Sequence, residues 1–421
     1  MSALIKIARR LGALVSGSDR EEGERLSELI KEGYDVYVGE RAEKAAEADL
    51  VVYTAAIPAE NAERRAAKQE MSRAVFLGRI AELFDKTVAV AGTHGKTTVS
   101  AMISACLAAS KTEFSAHIGG IARNFGSNLF LSGREIFVTE ACEYKDSFLT
   151  LAPDVAVVLN AEIDHGDYFK DVESVYTSFQ RFVLRVKKGG VAVLGEKVKE
   201  HLALPLNEDI RICSYGDDFT FELSDTGGFY LKTKERPPMY FKTSAKGRHN
   251  VYNAAVAAYV ALLLGIEEDA VRLGLAGFLG VKRRYEYMGN TAGGAPVVHD
   301  YAHHPSEIAA VMSVAREETA GRLITVFEPH TYSRTASLFE EFRRVLSESD
   351  VLVMLPTYSA RETPADGVDA KTLFCSLHAK EMCYFTTYDD AKRWLDRNAR
   401  SVDTVLILGA GSVERLALKF N

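Results

Sequence analysis

Apolar positions along this chain switch between two periods, and the switching outlines its organisation. Up to residue 85 a charged helical stretch at 20–31 is followed by strand-like runs at 36–38 and 49–54, an alternation that predicts a parallel α/β domain. Residues 87–91, Thr-Val-Ala-Val-Ala, read as a buried strand entering a glycine turn, with a helix at 98–109 beyond it. Further strands are expected at 136–138 and 155–159, and helical periodicity covers 171–187. Residues 207–243 differ: short alternating runs around Gly227-Gly228 suggest an antiparallel insertion. An alanine-rich apolar helix is expected at 250–264. Strands then recur at 296–299, 323–327, 351–355 and 404–408 with helices between them, a third α/β pattern. The fold class is therefore α/β in three domains. These are an N-terminal Rossmann-like domain at 1–85, a central P-loop-type domain at 86–285 and a C-terminal Rossmann-like domain at 286–421.

Bulk properties narrow the function classes. At roughly 150 residues per domain, 421 residues make two or three domains. The net charge of -7, from 51 basic and 58 acidic residues, argues against a general nucleic-acid binder. The five cysteines are scattered without zinc-like spacing and read as reduced thiols. The longest apolar stretch, 254–266, is short of the ~20 residues a membrane span needs. The apolar run after Arg9-Arg10 is too short for a secretory signal, so a cytoplasmic protein without a membrane partner is expected.

The chemistry is concentrated after the 87–91 strand, in Gly92-Thr93-His94-Gly95-Lys96-Thr97-Thr98. Glycines let backbone N–H groups close around phosphate oxygens, and a helix N-terminus adds favourable partial charge. Lys96 can reach the β- and γ-phosphates of ATP, and Thr97 can offer its hydroxyl to magnesium. The spacing departs from Gly-x-x-x-x-Gly-Lys-Thr, because position 90 is valine.

This variant loop resembles that of the Mur ligase family. Further motifs follow in family order: Asn160-Ala161-Glu162-Ile163-Asp164-His165, Gly247-Arg248-His249-Asn250-Val251-Tyr252-Asn253, Lys282-Arg283-Arg284-Tyr285-Glu286, Asp300-Tyr301-Ala302-His303-His304-Pro305 and Pro329-His330-Thr331-Tyr332-Ser333-Arg334-Thr335. The resemblance covers nearly the whole chain. It implies ATP-dependent joining of L-alanine to UDP-N-acetylmuramate through an acyl phosphate, in peptidoglycan synthesis.

The resemblance also implies residue roles. Thr97 joins the magnesium on the phosphates, while Glu140 and His165 hold a second magnesium; Glu143 is the weaker candidate. By itself His165 reads as a loop residue capping a turn. His249, Asn250 and Asn253 are implied to contact adenine, and Asn250 also suits an N-cap. Arg284 is implied to reach the γ-phosphate and Asp300 to hold the nucleotide. His303 or His304 is implied as an electrostatic contact beside it. His330 follows the next strand, and Arg334 is expected to clamp the alanine carboxylate, with Tyr358 lining the same pocket. Some relatives carry arginine where this chain has Thr331. The region around Ser178 offers no lysine of the kind other members modify, as expected for the alanine-adding type. Gly120 and Asn128 match the segment facing the sugar, and Ser18, Asp19, Ala56 and Arg79 match the uridine side. Ordinary loop chemistry also accounts for these six.

Family members begin with a strand and a Gly-x-Gly-Gly-x-Gly loop directly before Met-Ser-Ala, whereas this sequence opens at Met1-Ser2-Ala3-Leu4. In a doubly wound sheet that strand is central and its loop receives the pyrophosphate. The reading is therefore of a misplaced start or truncation, with nucleotide binding without ligase turnover as an alternative. A ligase that recycles a whole peptide onto the sugar is the alternative within the family. The segment at 329–335 favours the single-amino-acid enzyme.

Overall fold

In the computed structural model, which describes residues 1–164, 166, 168–204, 209–360 and 362–421, the buried strand after residue 85 runs Lys86–Ala91. It lies inside a seven-stranded sheet, flanked by Val155–Val158 on one side and Ile136–Glu140 on the other. Val191–Leu194 and Arg211–Ser214 extend one edge in parallel, while Phe114–Ala122 and then antiparallel Ser127–Leu131 extend the other. Alternation across the pleat sorts the core. Val88, Val90, Val155 and Val157 face one cluster, and Ala89, Ala91, Ala156 and Val158 the opposite one. The first face is covered by the helices Lys96–Ala108, Arg248–Leu263 and Glu268–Ala276. The second carries Val172–Val183, together with Leu4, Ile7, Leu77 and Ile80 from N-terminal helices.

Two details differ from the sequence reading. Only part of the 207–243 stretch is an antiparallel insertion, made of Phe219–Leu223, Phe229–Thr233 and Met239–Phe241. Arg211–Ser214 pairs instead in parallel with Val191–Leu194, burying Cys213 and Ser214 at the sheet edge. Asn250 is not the N-cap of its helix. Gly247 holds that position at φ +86°, and Asn250 Nδ2 donates to the Lys246 carbonyl at 2.8 Å. The helix begins three residues earlier than capping by Asn250 requires.

The N-terminal part holds two separate parallel strand pairs, Ser16–Asp19 with Asp35–Val38 and Val51–Tyr53 with Glu70–Ser72. The C-terminal part is a six-stranded sheet. Its order is Glu286–Asn290, Pro296–Asp300, Thr404–Leu408, Leu323–Phe327, Val351–Met354, Glu381–Tyr384, with only the first strand antiparallel. Loops at the carboxyl ends of its parallel strands face the glycine loop of the central sheet, and that junction positions the candidate site.

Candidate functional site

The glycine loop turns sharply out of the Lys86–Ala91 strand, and its shape is set from outside. Asn160 holds it with both ends of its amide, accepting from the His94 N–H at 2.8 Å and donating to the His94 carbonyl at 3.2 Å. Thr93 Oγ1 is tied to the backbone of Glu162, accepting from its N–H at 2.8 Å. Gly95 caps the Lys96–Ala108 helix in the left-handed region, so no side chain closes the helix N-terminus. Its first N–H groups therefore remain donors for an anion. Thr97 and Thr98 lie in that first turn.

Asn253 packs directly on the loop. A Cβ at Gly95 would stand 2.9 Å from Asn253 Oδ1, and Asn253 Nδ2 donates to Asn250 Oδ1 at 3.2 Å. His249 lies in the same first turn, and burial followed by the nearby Arg284 charge lowers its pKa. Of these three candidates Asn253 meets the loop directly, Asn250 is joined to it through Asn253, and His249 lies in the same first turn.

Glu140 ends its strand with its carboxylate against Gly119, accepting that residue's N–H. A Cβ at Gly120 would come 2.8 Å from Val281 and 3.3 Å from Thr97 Cγ2. The Gly119-Gly120 pair thus has Glu140 against its first residue and Thr97 against its second, a carboxylate and a hydroxyl of the oxygen-donor kind that magnesium takes. His165 lies outside the described residues. Glu143, rather than joining this set, sits 2.9 Å from Lys96 Nζ.

Across the junction, the Pro305–Glu318 helix is capped by His304, whose ring accepts from the Ser306 N–H at 3.3 Å and whose Nε2 meets the Ile163 carbonyl at 3.1 Å. Glu307 of this helix lies 3.2 Å from His94 Nδ1 and 3.6 Å from Arg284. Glu162 approaches His94 Nε2 at 3.4 Å, and Ser306 Oγ donates to Glu162 at 2.9 Å. Burial opposes a charge on His94, but Glu307 and Glu162 outweigh it and lift its pKa to about 9. Among the described residues, ligating atoms of His94, Glu162 and His304 fall within 4.8 Å of one another. A doubly protonated His94 between two carboxylates supplies the positive charge that pairs with them.

Burial pushes the His303 imidazole down to about 3 and, with the nearby His94, also lowers that of His304. Asp300 ends its strand accepting from the N–H groups of Tyr285 and Ala302, both at 2.7 Å, and burial raises its carboxyl to about 6. Arg334 points at Asp164, with Nη2 at 2.8 Å and Nε at 2.9 Å, and its Nη1 lies 2.9 Å from His330 Nδ1. The Arg334 and Asp164 side chains are each 9% exposed. His330 stacks on Tyr358 at 5.4 Å between ring centres. Tyr358 also borders a cavity of about 770 Å³ shared with Thr387, Tyr388, Ser412 and Arg415.

The uridine-side candidates are not drawn into this cluster. Ser18 and Asp19 lie on an N-terminal strand, where Ser18 Oγ donates to Glu63 at 2.6 Å. Ala56 lies in a turn, and Arg79 pairs with Glu82 at 3.1 Å. Asn128 is on Ser127–Leu131, the strand after Gly120. The sequence reading assigned no role to Glu162, Asp164 or Glu307. The first two sit inside a recognised motif, and Glu307 follows His303 by four residues at a helix start, the spacing at which side chains meet.

Three models of known families match the chain. Residues 1–85 match the catalytic domain of the Mur ligase family, 90–261 the Mur ligase middle domain and 283–411 the Mur ligase glutamate ligase domain. The UDP-N-acetylmuramate–L-alanine ligase of Agathobacter rectalis is 35% identical over 429 residues, covering 98% of this chain and 93% of that protein. That of Acetivibrio thermocellus is 35% identical over 437 residues, covering 100% and 93%. The solved UDP-N-acetylmuramate–alanine ligase of Thermotoga maritima shares the three-domain fold at a TM-score of 0.81. It is 23% identical, with 100% of this chain and 95% of that one covered.

Proposed function

The chain belongs to the Mur ligase family, and on that premise we propose that it uses ATP to join L-alanine to the carboxylate of UDP-N-acetylmuramate in peptidoglycan synthesis. The observation that carries this reading is the 35% identity to UDP-N-acetylmuramate–L-alanine ligases over 98% of the chain. Phosphoryl transfer turns the muramate carboxylate into an acyl phosphate, which the alanine amine then attacks, releasing phosphate.

The residue roles proposed here are those the family resemblance implies. The loop N–H groups and the first turn of the Lys96–Ala108 helix face the phosphates, with Gly92, Thr93, His94, Gly95 and Thr98 shaping the cradle and Lys96 adding charge. Thr97 and Glu140 would hold magnesium, with His165 as a further ligand; bound there, the ion neutralises charge on the phosphates and the acceptor carboxylate. His249, Asn250 and Asn253 border the adenine. Arg284 serves the γ-phosphate and Asp300 and His303 the nucleotide from the C-terminal side. His330, Arg334 and Tyr358 receive alanine, for which Arg334 would exchange Asp164 for the substrate carboxylate. Gly120 and Asn128 face the sugar, and Ser18, Asp19, Ala56 and Arg79 the uridine. Positioning and charge neutralisation are the main catalytic terms in such a transfer.

The test is ADP release in the presence of UDP-N-acetylmuramate and magnesium, with L-alanine compared against a tripeptide. Release that depends on L-alanine is expected. Release with the tripeptide alone would reassign the chain to peptide recycling. Calorimetry with UDP-N-acetylmuramate, showing no binding alongside no release, would remove the ligase reading.

A further inference from the structure

The reaction above gives Glu143 no task, yet its environment is specific. The residue is 3% exposed, three positions beyond the end of the Ile136–Glu140 strand, in a segment that returns beneath the glycine loop. Its Oε2 and Oε1 lie 2.9 and 3.2 Å from Lys96 Nζ. The same ammonium donates to the Gly92 carbonyl and, at 3.1 Å, to the Thr93 carbonyl. An ammonium has three protons, and two carbonyls and one carboxylate engage all three. Reaching a phosphate oxygen therefore requires Lys96 to give up a partner. The carbonyls belong to the loop and move with it. Glu143 is separate from the loop and carries the charge that repels polyphosphate.

We propose that Glu143 is a positioning residue that competes with nucleotide phosphate for Lys96, setting nucleotide affinity below what the loop alone would give. The pair exchanges partners without any covalent step: the Lys96–carboxylate contact is replaced by a Lys96–phosphate contact. A weaker hold on the nucleotide has a use, because a ligase must release ADP in each cycle. Glu140 and Glu143 thereby separate, the first lying against Gly119 and the second turned to the lysine. The inference rests on reading residues 92–98 as a phosphate loop, and not on which amine is the acceptor.

Calorimetry of magnesium–ADP on the full chain tests it, using the native protein, E143D and E143Q. Removing the competing charge is expected to tighten binding by about tenfold in E143Q, a modest share of the attraction between unit charges at this distance. E143D, with its carboxylate set back by one methylene, is expected to fall between native and E143Q. In turnover, KM for ATP falls along the same series, and kcat falls with it as ADP leaves more slowly. A merely structural role would weaken binding in both variants, and that result overturns the proposal. So does a raised magnesium requirement in E143Q, which would make Glu143 a metal ligand. If E143Q does not fold, E143D against native decides, equal or weaker ADP binding overturning the idea. Failure of the native chain itself to bind ADP would instead remove the phosphate-loop reading.

Discussion

Gly95 shows how one residue can be fixed by both conformation and contact. Its φ is +84°, and an added Cβ would stand 2.9 Å from Asn253 Oδ1 and 3.0 Å from Leu159 Cδ1. Gly12, at φ +97°, has nothing within 4 Å of the same position. Gly12→Ala is thus expected to cost only the left-handed backbone term, about 1–2 kcal/mol in urea unfolding. Gly95→Ala should exceed that cost and also weaken magnesium–ADP binding, because Asn253 and the loop must part. Equal unfolding costs for the two variants, with unchanged ADP binding, would contradict this account. At this scale the sequence was readable where a residue type has a single use. A glycine pair followed by lysine and threonine after an apolar strand leaves few alternatives. It was unreadable where function depends on a partner far along the chain. Glu143 beside Lys96, or Asp164 beside Arg334, joins residues 47 and 170 positions apart, and no local pattern encodes such a pairing.

The elements themselves were largely legible, because burial on both faces leaves continuous apolar runs such as those at 323–327 and 404–408. The misreading of Arg211–Ser214 has a physical cause: a four-residue edge strand carrying Arg211 and Ser214 lacks the continuous apolar run of a central strand and looks like the short hairpins that follow it. The lowered pKa of His303 was equally hidden, since its burial is set by the fold and not by the local sequence pattern. The junction of glycine loop and Pro305–Glu318 helix makes a pH-dependent contact. His94 faces Glu162 and Glu307, with His304 neutral beside it and Arg284 on the far side of Glu307. Its folded pKa of about 9 lies above the ordinary 6.5. The stabilisation is therefore complete below about pH 6.5 and is lost as pH rises through about 9. Thermal unfolding is expected to show a midpoint falling across that window, with a smaller fall in E307Q, which lacks the nearer carboxylate. Parallel profiles for the two proteins would exclude the contact as the cause.

For the whole molecule, hydrogen bonds and ion pairs join the central and C-terminal parts across the junction. Arg334–Asp164 is the most enclosed of these pairs. Removing Arg334 takes the guanidinium away from the buried Asp164 carboxylate, and losing one member of a buried pair typically costs about 3–5 kcal/mol. That cost applies only while the junction stays shut. The chain can avoid it by letting the two parts separate, which returns Asp164 to water and keeps each sheet intact. Arg334→Ala is therefore expected to expand the molecule, seen as a larger radius of gyration in small-angle scattering, while unfolding stability falls by less than the full cost. The double variant Asp164→Asn with Arg334→Met removes both charges and should return the radius of gyration toward the native value, because neither partner is left buried and ionised. If Arg334→Ala loses the full amount of stability without expanding, the pair belongs to a rigid core and the two parts do not open there. The same variant separates this structural task from the catalytic one. Alanine-dependent ADP release should fail in both the single and the double variant, since closure alone cannot replace a guanidinium that must exchange Asp164 for the substrate carboxylate.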